Sequence, residues 1–262
     1  MKSPYQIITI TTFEQYVQKI KQSDNDAVIL FRGQCIDKPL TPRIGRLNFR
    51  DSETIIENEK RILDQFKRLS VPYLTSYPRN NWEWLSLAQH HGLPTRLLDW
   101  SINPLAALWF AVNCEPQTDK GKLLDGVVWM FFPNEDDFVS ADDMESDIVS
   151  PFTLTKTLLF QPVIVAQRIN AQQGWFSIHK WFSTNSFTPF EKNAAYKTRL
   201  VKFIIPAQKF ARMRWDLDRF GVNRSTLFPD LDGLTAHLLW LKSYMSDEFS
   251  MSTPATGLTA NN

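Results

Sequence analysis

The chain has 262 residues, of which 43% are apolar and 22% are charged, and its formal net charge is +1. These values are ordinary for a globular protein, and a chain of this length can bury a full core without metals or cross-links. A charge this close to zero excludes a global field that would attract nucleic acid or a membrane surface, so any anion site must be a local cluster of cations. The nineteen Phe and nine Trp residues indicate a bulky core with aromatic surface left over for stacking.

The cysteine content and the lack of long apolar segments indicate the cellular compartment. Two cysteines, Cys35 and Cys114, do not make a disulfide framework, and no Cys/His spacing typical of a metal site is present. The segment Met1–Tyr16 lacks the apolar stretch of a signal peptide, and no run reaches the roughly 20 apolar residues that span a bilayer. We therefore expect a cytoplasmic protein with free thiols, no metal site and no membrane contact.

In chain order, apolar spacing predicts a mixture of helices and strands. Helices are expected at 12–23, 52–69, 82–91, 103–112, 207–220 and 234–244, and strands at 27–31, 126–132, 160–165, 174–178 and 199–205. Asn103 is expected to cap the fourth helix, with Pro104 in its first turn. The acidic stretch 134–147 is expected to be a surface loop. The pattern predicts an α+β fold: a single mixed domain at 12–244 with a central sheet flanked by helices, in a strand order that the pattern does not fix, followed by a disordered tail at 245–262.

A cation and a glycine stand at the end of the first predicted strand, in the sequence Phe31-Arg32-Gly33-Gln34. Because glycine lets a ligand come close to the backbone, this strand end is a candidate binding site with Arg32, Gly33 and Gln34 as contacts. The architectural alternative is that Arg32 leaves the sheet to form a structural salt bridge.

A second polar cluster lies between two predicted helices, at 87–101, where hydrogen-bonding side chains alternate with apolar ones. Its polar members are Gln89, His90, His91, Thr95, Arg96, Asp99 and Ser101, and Trp100 stands among them. Such a mixture indicates a buried or half-buried polar network, which is costly unless satisfied and often belongs to a site. The architectural alternative is that Asp99 caps the next helix or pairs with Arg96, while a histidine satisfies backbone groups.

Two weaker motifs follow later in the chain. The segment 167–176 offers Arg168 and several amides, including Gln172, just before a glycine and an apolar run. The segment 225–233 is typical of a turn that leads into a helix, with Asp230 or Asp232 as the capping residue.

Taken in order, these motifs resemble the bacterial FRG domain. The resemblance is carried by FRGQ, by AQHHGLPTRLLDWS before NPLAALWFA, by QRINAQQGWF and by STLFPDLDG, and it extends from about residue 12 to 244. It implies that the motif residues matter to the domain, and it implies a role in defence against phage, which is suspected for members of the family. It leaves the reaction open.

Three arginines in separate motifs, Arg32, Arg96 and Arg168, would form a cationic pocket if the fold brought them together. Guanidinium groups suit phosphate or carboxylate, and neighbouring aromatic rings suit a flat base. We therefore expect a small phosphate-bearing ligand, a nucleotide or NAD. No Rossmann or P-loop glycine motif is present. The leading hypothesis is an ADP-ribosyltransferase-like or NAD-cleaving enzyme, for which NAD is the substrate and Asp99 or Glu191 the catalytic acid.

Two other classes of function remain open on sequence alone. A nuclease or phosphodiester hydrolase would use His90 or His91 as general base, although adjacent residues on a helix point about 100° apart, so one of the two would enter a given site. A non-enzymatic sensor would bind a ligand or a phage protein through the same residues. In the architectural alternative, every polar motif only stabilises the fold.

Overall fold

The computed structural model describes residues 3–23, 28–145, 149–162, 172–182 and 186–249. Its α-helices are α1 (Phe13–Gln22), α2 (Ile55–Ser70), α3 (Asn81–His90), α4 (Pro104–Val112), α5 (Ala141–Glu145), α6 (Phe210–Arg219), α7 (Arg224–Leu227) and α8 (Leu231–Trp240). Its strands are β1 (Gln6–Thr9), β2 (Leu30–Gln34), β3 (Leu97–Ser101), β4 (Thr118–Asp119), β5 (Lys122–Leu123), β6 (Gly126–Phe131), β7 (Leu158–Phe160), β8 (Gly174–Ile178) and β9 (Leu200–Ile205). Short 3₁₀ helices occupy Arg43–Arg46, Val71–Tyr73, Glu135–Asp137, Phe190–Lys192, Lys197–Arg199 and Ala207–Lys209.

The strands form a seven-stranded mixed sheet in the order β1-β9-β6-β2-β3-β8-β7, with β4 and β5 as a separate hairpin. β1 runs parallel to β9. The other neighbours in the sheet are antiparallel. The predicted α+β fold, with a central sheet flanked by helices, is confirmed.

The sheet is buried on both faces. One face packs against α4, α1 and α6 through a cluster that includes Phe31, Val128 and Phe203. The opposite face carries Trp100 and Phe131. α4 lies against the sheet because its residues are apolar on nearly all sides, and it begins as predicted, with the Asn103 side chain accepting hydrogen bonds from the amides of Leu105 and Ala106.

The central sheet contains two strands that the sequence pattern did not predict, β1 and β3, and the hairpin of β4 and β5 was not predicted either. β3 lies inside the polar segment 87–101, where Asp99 interrupts an otherwise buried strand. The predicted strand at 160–165 corresponds to β7, which begins earlier, and its positions 163–165 lie outside the described residues. The acidic stretch 134–147 was predicted to be a surface loop, but it is not exposed throughout. Asp137 is buried and receives a hydrogen bond from Arg199.

Part of the segment predicted as a tail is packed. Glu248 is buried and accepts a hydrogen bond of 2.9 Å from Nε of Arg214, so the chain contacts α6 at this residue. Residues 250–262 lie outside the described part of the chain. At the start of α8, Asp230 is the capping residue, since its side chain accepts from the amide of Gly233.

The prediction of free thiols is wrong. Cys35 and Cys114 form a disulfide, with their Cα atoms 6.3 Å apart. Cys35 directly follows β2 and Cys114 lies two residues after α4, so the packing of these two elements brings the sulfur atoms together. A sequence separation of 79 residues gives no local signal of this proximity.

Candidate functional site

The candidate site lies where the sheet loses its regular pairing. β2 pairs with β6 along all five of its residues but with β3 at one position, Phe31 opposite Ser101. Beyond that pair, Nη1 of Arg32 donates a hydrogen bond of 2.6 Å to the main-chain oxygen of Asp99. A side chain therefore replaces the backbone ladder and bridges the two strands.

Two adjoining cavities open at this gap, and we refer to them together as the cleft. The larger has a volume of about 290 Å³ and is lined by Phe31, Arg32, Gly33, Asp99, Trp100, Ser101, Ala107, Phe110, Gln172 and Phe228. The smaller has a volume of about 140 Å³ and is lined by Gln89, His90, Asp99, Trp100, Gln172, Gly174, Trp175, Phe176 and Phe228. Because Asp99 and Gln172 line both cavities, a single ligand can contact both. The mixture of aromatic walls with a few polar groups is typical of a small-molecule site.

A chain of hydrogen bonds holds the carboxylate of Asp99 in the cleft. The hydroxyl of Thr95 donates to Oε1 of Gln89 at 2.8 Å, and Nε2 of Gln89 donates to Oδ1 of Asp99 at 3.2 Å. Arg32 lies on the other side, with Nη1 3.4 Å from Oδ2 of Asp99. The Asp99 side chain nevertheless stays 57% exposed. The carboxylate is therefore oriented by its neighbours and accessible to a ligand.

Arg32 is the cation of the cleft. Its side chain is 18% exposed, and its Nε is shielded from solvent without a hydrogen-bond partner in the described part of the chain. Burial lowers the pKa of the guanidinium, the charge of Asp99 raises it, and the charge of Arg46 lowers it further. Arginine remains charged under these conditions. A shielded donor without an acceptor costs about 1–3 kcal/mol.

Arg96 lies away from the cleft. It is 1% exposed, and its Nε and its main-chain amide each donate a hydrogen bond of 2.7 Å to the carboxylate of Glu59. Nη1 donates to the main-chain oxygen of Pro151, and the guanidinium stacks over Phe152. The guanidinium is neutralised by its own carboxylate, so Arg96 does not line either cavity. Of the three arginines that were expected to converge, Arg168 lies outside the described residues. Of the other two, only Arg32 lines the cleft.

The other predicted acid and the second histidine also lie elsewhere. Glu191 is buried, and its Oε2 accepts a hydrogen bond of 3.0 Å from the amide of Leu40, so it supports a loop and does not reach the cleft. His91 is exposed at the end of α3, whereas His90 lines the smaller cavity. Of the two candidate acids, Asp99 therefore lies in the cleft, and of the two candidate bases, His90.

Several predicted ligand contacts have structural partners instead. The hydroxyl of Ser101 donates to the main-chain oxygen of Gln172 at 2.6 Å, which joins β3 to the segment before β8. Trp100 is buried and donates from Nε1 to the hydroxyl of Ser177. Gln34 is half-buried outside both cavities. Ser101 and Trp100 line the cleft, and each already has a hydrogen bond that a ligand would have to replace.

The glycine of the FRGQ motif has a packing role. A Cβ added at Gly33 would lie 1.8 Å from the main-chain oxygen of Ala107 and 2.8 Å from the amide nitrogen of Ala111. Glycine is therefore required for α4 to approach β2 this closely. Gly33 and Ala107 also line the larger cavity, so the role of Gly33 as a ligand contact stays a prediction.

Sequence reasoning missed His179, which lies behind the cleft. It is 1% exposed, and its Nε2 is 3.2 Å from the hydroxyl of Ser177. Burial and the positive charge of Arg32 lower the pKa of His179 to about 3. The ring is therefore neutral at ordinary pH and completes a buried polar chain with Ser177 and Trp100. A single histidine after a short apolar strand gave no signal of this arrangement.

The buried neutral His179 is expected to make the protein less stable in acid. In the unfolded chain a histidine titrates near 6.5, and the folded value is about 3, so the unfolded state binds more protons between these values. The contribution of His179 to the free energy of unfolding is therefore complete above pH 6.5. It falls by about 1.4 kcal/mol per pH unit as the pH drops toward 3.

Urea unfolding at pH 5, 6 and 7 measures this slope in the wild type and in His179→Gln. In His179→Gln, the free energy of unfolding should fall less steeply with decreasing pH, whatever the absolute stability of the variant. His91→Gln, at an exposed position, should show the same pH dependence as the wild type. Equal slopes in wild type and His179→Gln would contradict the assignment.

Two further arginines, Arg43 and Arg46, were also missed, and Arg46 acts on Arg32. Nη1 of Arg43 donates to the main-chain oxygen of Gly92 at 3.1 Å, which fixes the 3₁₀ helix Arg43–Arg46 against the loop after α3. Arg46 is exposed and close enough to Arg32 to lower its pKa. These charges add to the local positive potential that an anionic ligand would meet. In the sequence, the pair of arginines around Gly45 in a proline-containing loop could have indicated these two cations.

Two kinds of feature are absent from the described residues. In them, no group of three or more His, Cys, Asp and Glu side chains is arranged to hold a metal ion. None of the described helices combines the length and the apolar character required to cross a bilayer.

Residues 27–120 match the family model described as FRG domain. This chain contains an FRG domain. The matched range includes β2, α3, β3 and α4, which supply Arg32, Gln89 and Asp99. The remaining cleft walls, among them Gln172 and Phe228, come from beyond it. No curated protein and no solved structure matches the chain significantly.

Proposed function

We propose that the FRG domain of this chain binds NAD in the cleft and cleaves the bond between nicotinamide and ribose, releasing ADP-ribose or transferring it to an acceptor. The observation that carries the proposal is the pairing of a shielded guanidinium, Arg32, with an exposed carboxylate, Asp99, between aromatic walls. Membership of the FRG family alone does not specify this reaction.

Each part of the cleft has a role in this proposal. The Arg32 guanidinium, which lines the larger cavity, would receive a phosphate oxygen, for which guanidinium geometry is suited. Phe110, Phe228 and Trp175 would stack on a flat base. In known ADP-ribosyltransferases an arginine near the end of an early strand also holds the dinucleotide phosphates, which is an analogy to the position of Arg32 at β2.

Asp99 would act where charge develops. When nicotinamide leaves with the electron pair of the C1′–N bond, the ribose becomes positively charged, and a nearby carboxylate stabilises that transition state. Water, or the nucleophile of an acceptor, then bonds to C1′ and loses a proton to the solvent or to a base. Gln89 keeps the carboxylate in place throughout, because its hydrogen bond does not depend on the ligand.

Purified protein incubated with NAD is expected to release nicotinamide, measured by chromatography, with labelled NAD and cell extract or nucleic acid supplied to detect ADP-ribose transfer. Arg32→Met should lower kcat/KM at least about 100-fold, since a charged contact to the phosphates is lost. Asp99→Asn should lower mainly kcat, because the amide keeps the shape of the site and removes its charge. Arg212→Met, an exposed arginine on α6, is the matched control and should leave both constants unchanged.

Absence of both nicotinamide release and ADP-ribose transfer would exclude the proposal. In that case a second candidate gains weight, because His90 and Asp99 line the same cavity of about 140 Å³ and could act as base and orienting acid on a phosphodiester. Nuclease assays with EDTA controls test this second candidate.

If the variants abolish a cellular effect while a ligand still binds, catalysis is favoured over a sensor. Consumption or transfer of NAD would also fit the suspected family role in phage defence.

A further inference from the structure

The disulfide lies directly beside the cleft. Cys35 follows the last residue of β2, three positions after Arg32, and Cys114 lies just beyond the end of α4, four positions after Phe110. Arg32 and Phe110 both line the larger cavity. The bond therefore ties together the two elements that form one wall of that cavity.

The loop that the bond closes contains seven of the fifteen residues that line the cleft. Between Cys35 and Cys114 lie α2, α3 and β3, and with them Gln89, His90 and Asp99. Closing a loop of this length removes much conformational freedom from the unfolded chain. The oxidised protein is therefore expected to hold β2, β3 and α4 in register more firmly than the reduced protein.

A reductant can reach this bond. Both cysteines are partly exposed, and neither is among the buried side chains of the hydrophobic core. Reaction with a dithiol is balanced: the attacking thiolate forms a mixed disulfide, and the second thiol of the reagent then displaces the second protein thiol. Two protein thiols and one oxidised dithiol result, with two electrons and two protons transferred to the protein.

We infer that Cys35 and Cys114 are a redox modification site that controls the order of the cleft. In the oxidised state, β2 and α4 are held at the spacing that places Arg32 and Phe110 in one cavity. In the reduced state the same elements keep only their packing contacts, and the end of β2 becomes free to move away from α4. The inference does not depend on the identity of the ligand.

The test compares the oxidised protein with protein treated with dithiothreitol. The expected oxidised mass is two hydrogen atoms lower, with one cross-linked peptide containing both cysteines. Reduction should lower Tm by about 10 °C, given the length of the closed loop. Hydrogen exchange should become at least tenfold faster in residues 30–34 and in the last turn of α4, while the distant edge strand β7 stays unchanged.

The variant Cys35→Ser/Cys114→Ser is the matched control. It should behave as the reduced protein does and show no response to dithiothreitol. Because the comparison of oxidised and reduced wild type needs no variant, poor folding of the double variant does not affect the test. Two free thiols after exposure to oxidised glutathione would overturn the inference, and so would an unchanged exchange rate in residues 30–34 on reduction. Neither outcome depends on whether NAD is cleaved.

Discussion

Replacing Gly33 with alanine is expected to lower the free energy of unfolding by about 3 kcal/mol or more, because overpacking by even one methyl group forces the surroundings to move. The added Cβ would lie 1.8 Å from the main-chain oxygen of Ala107 and 2.8 Å from the amide nitrogen of Ala111. Both neighbours are backbone atoms of α4, so no side-chain rotation relieves the contact. Either β2 or the helix must shift, and the buried packing between them is lost.

Gly121→Ala is the matched control for this prediction. Gly121 has a φ of +79°, and nothing lies within 4 Å of a Cβ added there, so the cost is limited to backbone strain of about 1 kcal/mol. Urea denaturation of both variants separates the two effects. A Gly33→Ala protein as stable as Gly121→Ala would show that α4 can retreat without cost, and the packing role of the motif glycine would be wrong.

Replacing Arg96 with methionine is expected to lower the free energy of unfolding by about 3–5 kcal/mol, since removing one member of a buried ion pair leaves the other charge uncompensated. Glu59 is 2% exposed, and among the described residues the amide of Arg96 would be its remaining hydrogen-bond partner. The double variant Arg96→Met/Glu59→Gln should recover part of the loss, because the buried charge is gone while the amide still has an acceptor.

Arg61→Met, in the exposed pair with Asp51, is the control and should change the stability little. The kinetic constants of Arg96→Met with NAD, measured well below its Tm, should match those of the wild type, because Arg96 does not line the cleft. A raised KM without loss of stability would contradict this assignment and return Arg96 to the ligand site.

Local signals in the sequence predicted the elements that lie around the cleft. The Asn103–Pro104 start of α4 was predicted because capping chemistry is encoded within a few residues, and the structure confirms it. β2 was located by its apolar run, but its end was not predicted, because the strand continues through Arg32 and Gly33 to Gln34. The placement of Arg32, Gln89, His90 and Asp99 around one cleft agrees with the expectation of a shared polar site, and their functional roles remain predictions.

Features that depend on distant partners could not be predicted. Arg32 and Arg96 look equivalent in sequence, and they differ because a carboxylate 37 residues away, on Glu59, meets only Arg96. β3 was missed because Asp99 breaks the apolar run, and the Asp99 side chain is exposed in the cleft instead of being packed in the core. The disulfide joins positions whose proximity is created by the packing of α4 on β2.

The single backbone pair between β2 and β3 divides the central sheet into two ladders. One contains β1, β9, β6 and β2, the other contains β3, β8 and β7, and apart from Phe31 opposite Ser101 they are joined at this seam by the reach of one arginine side chain. A ligand bound between Arg32 and Asp99 would therefore link the two ladders. The affinity for that ligand would depend on the distance between the two ladders. A destabilising substitution in the outer strands of either ladder would therefore lower the affinity without changing any group that contacts the ligand.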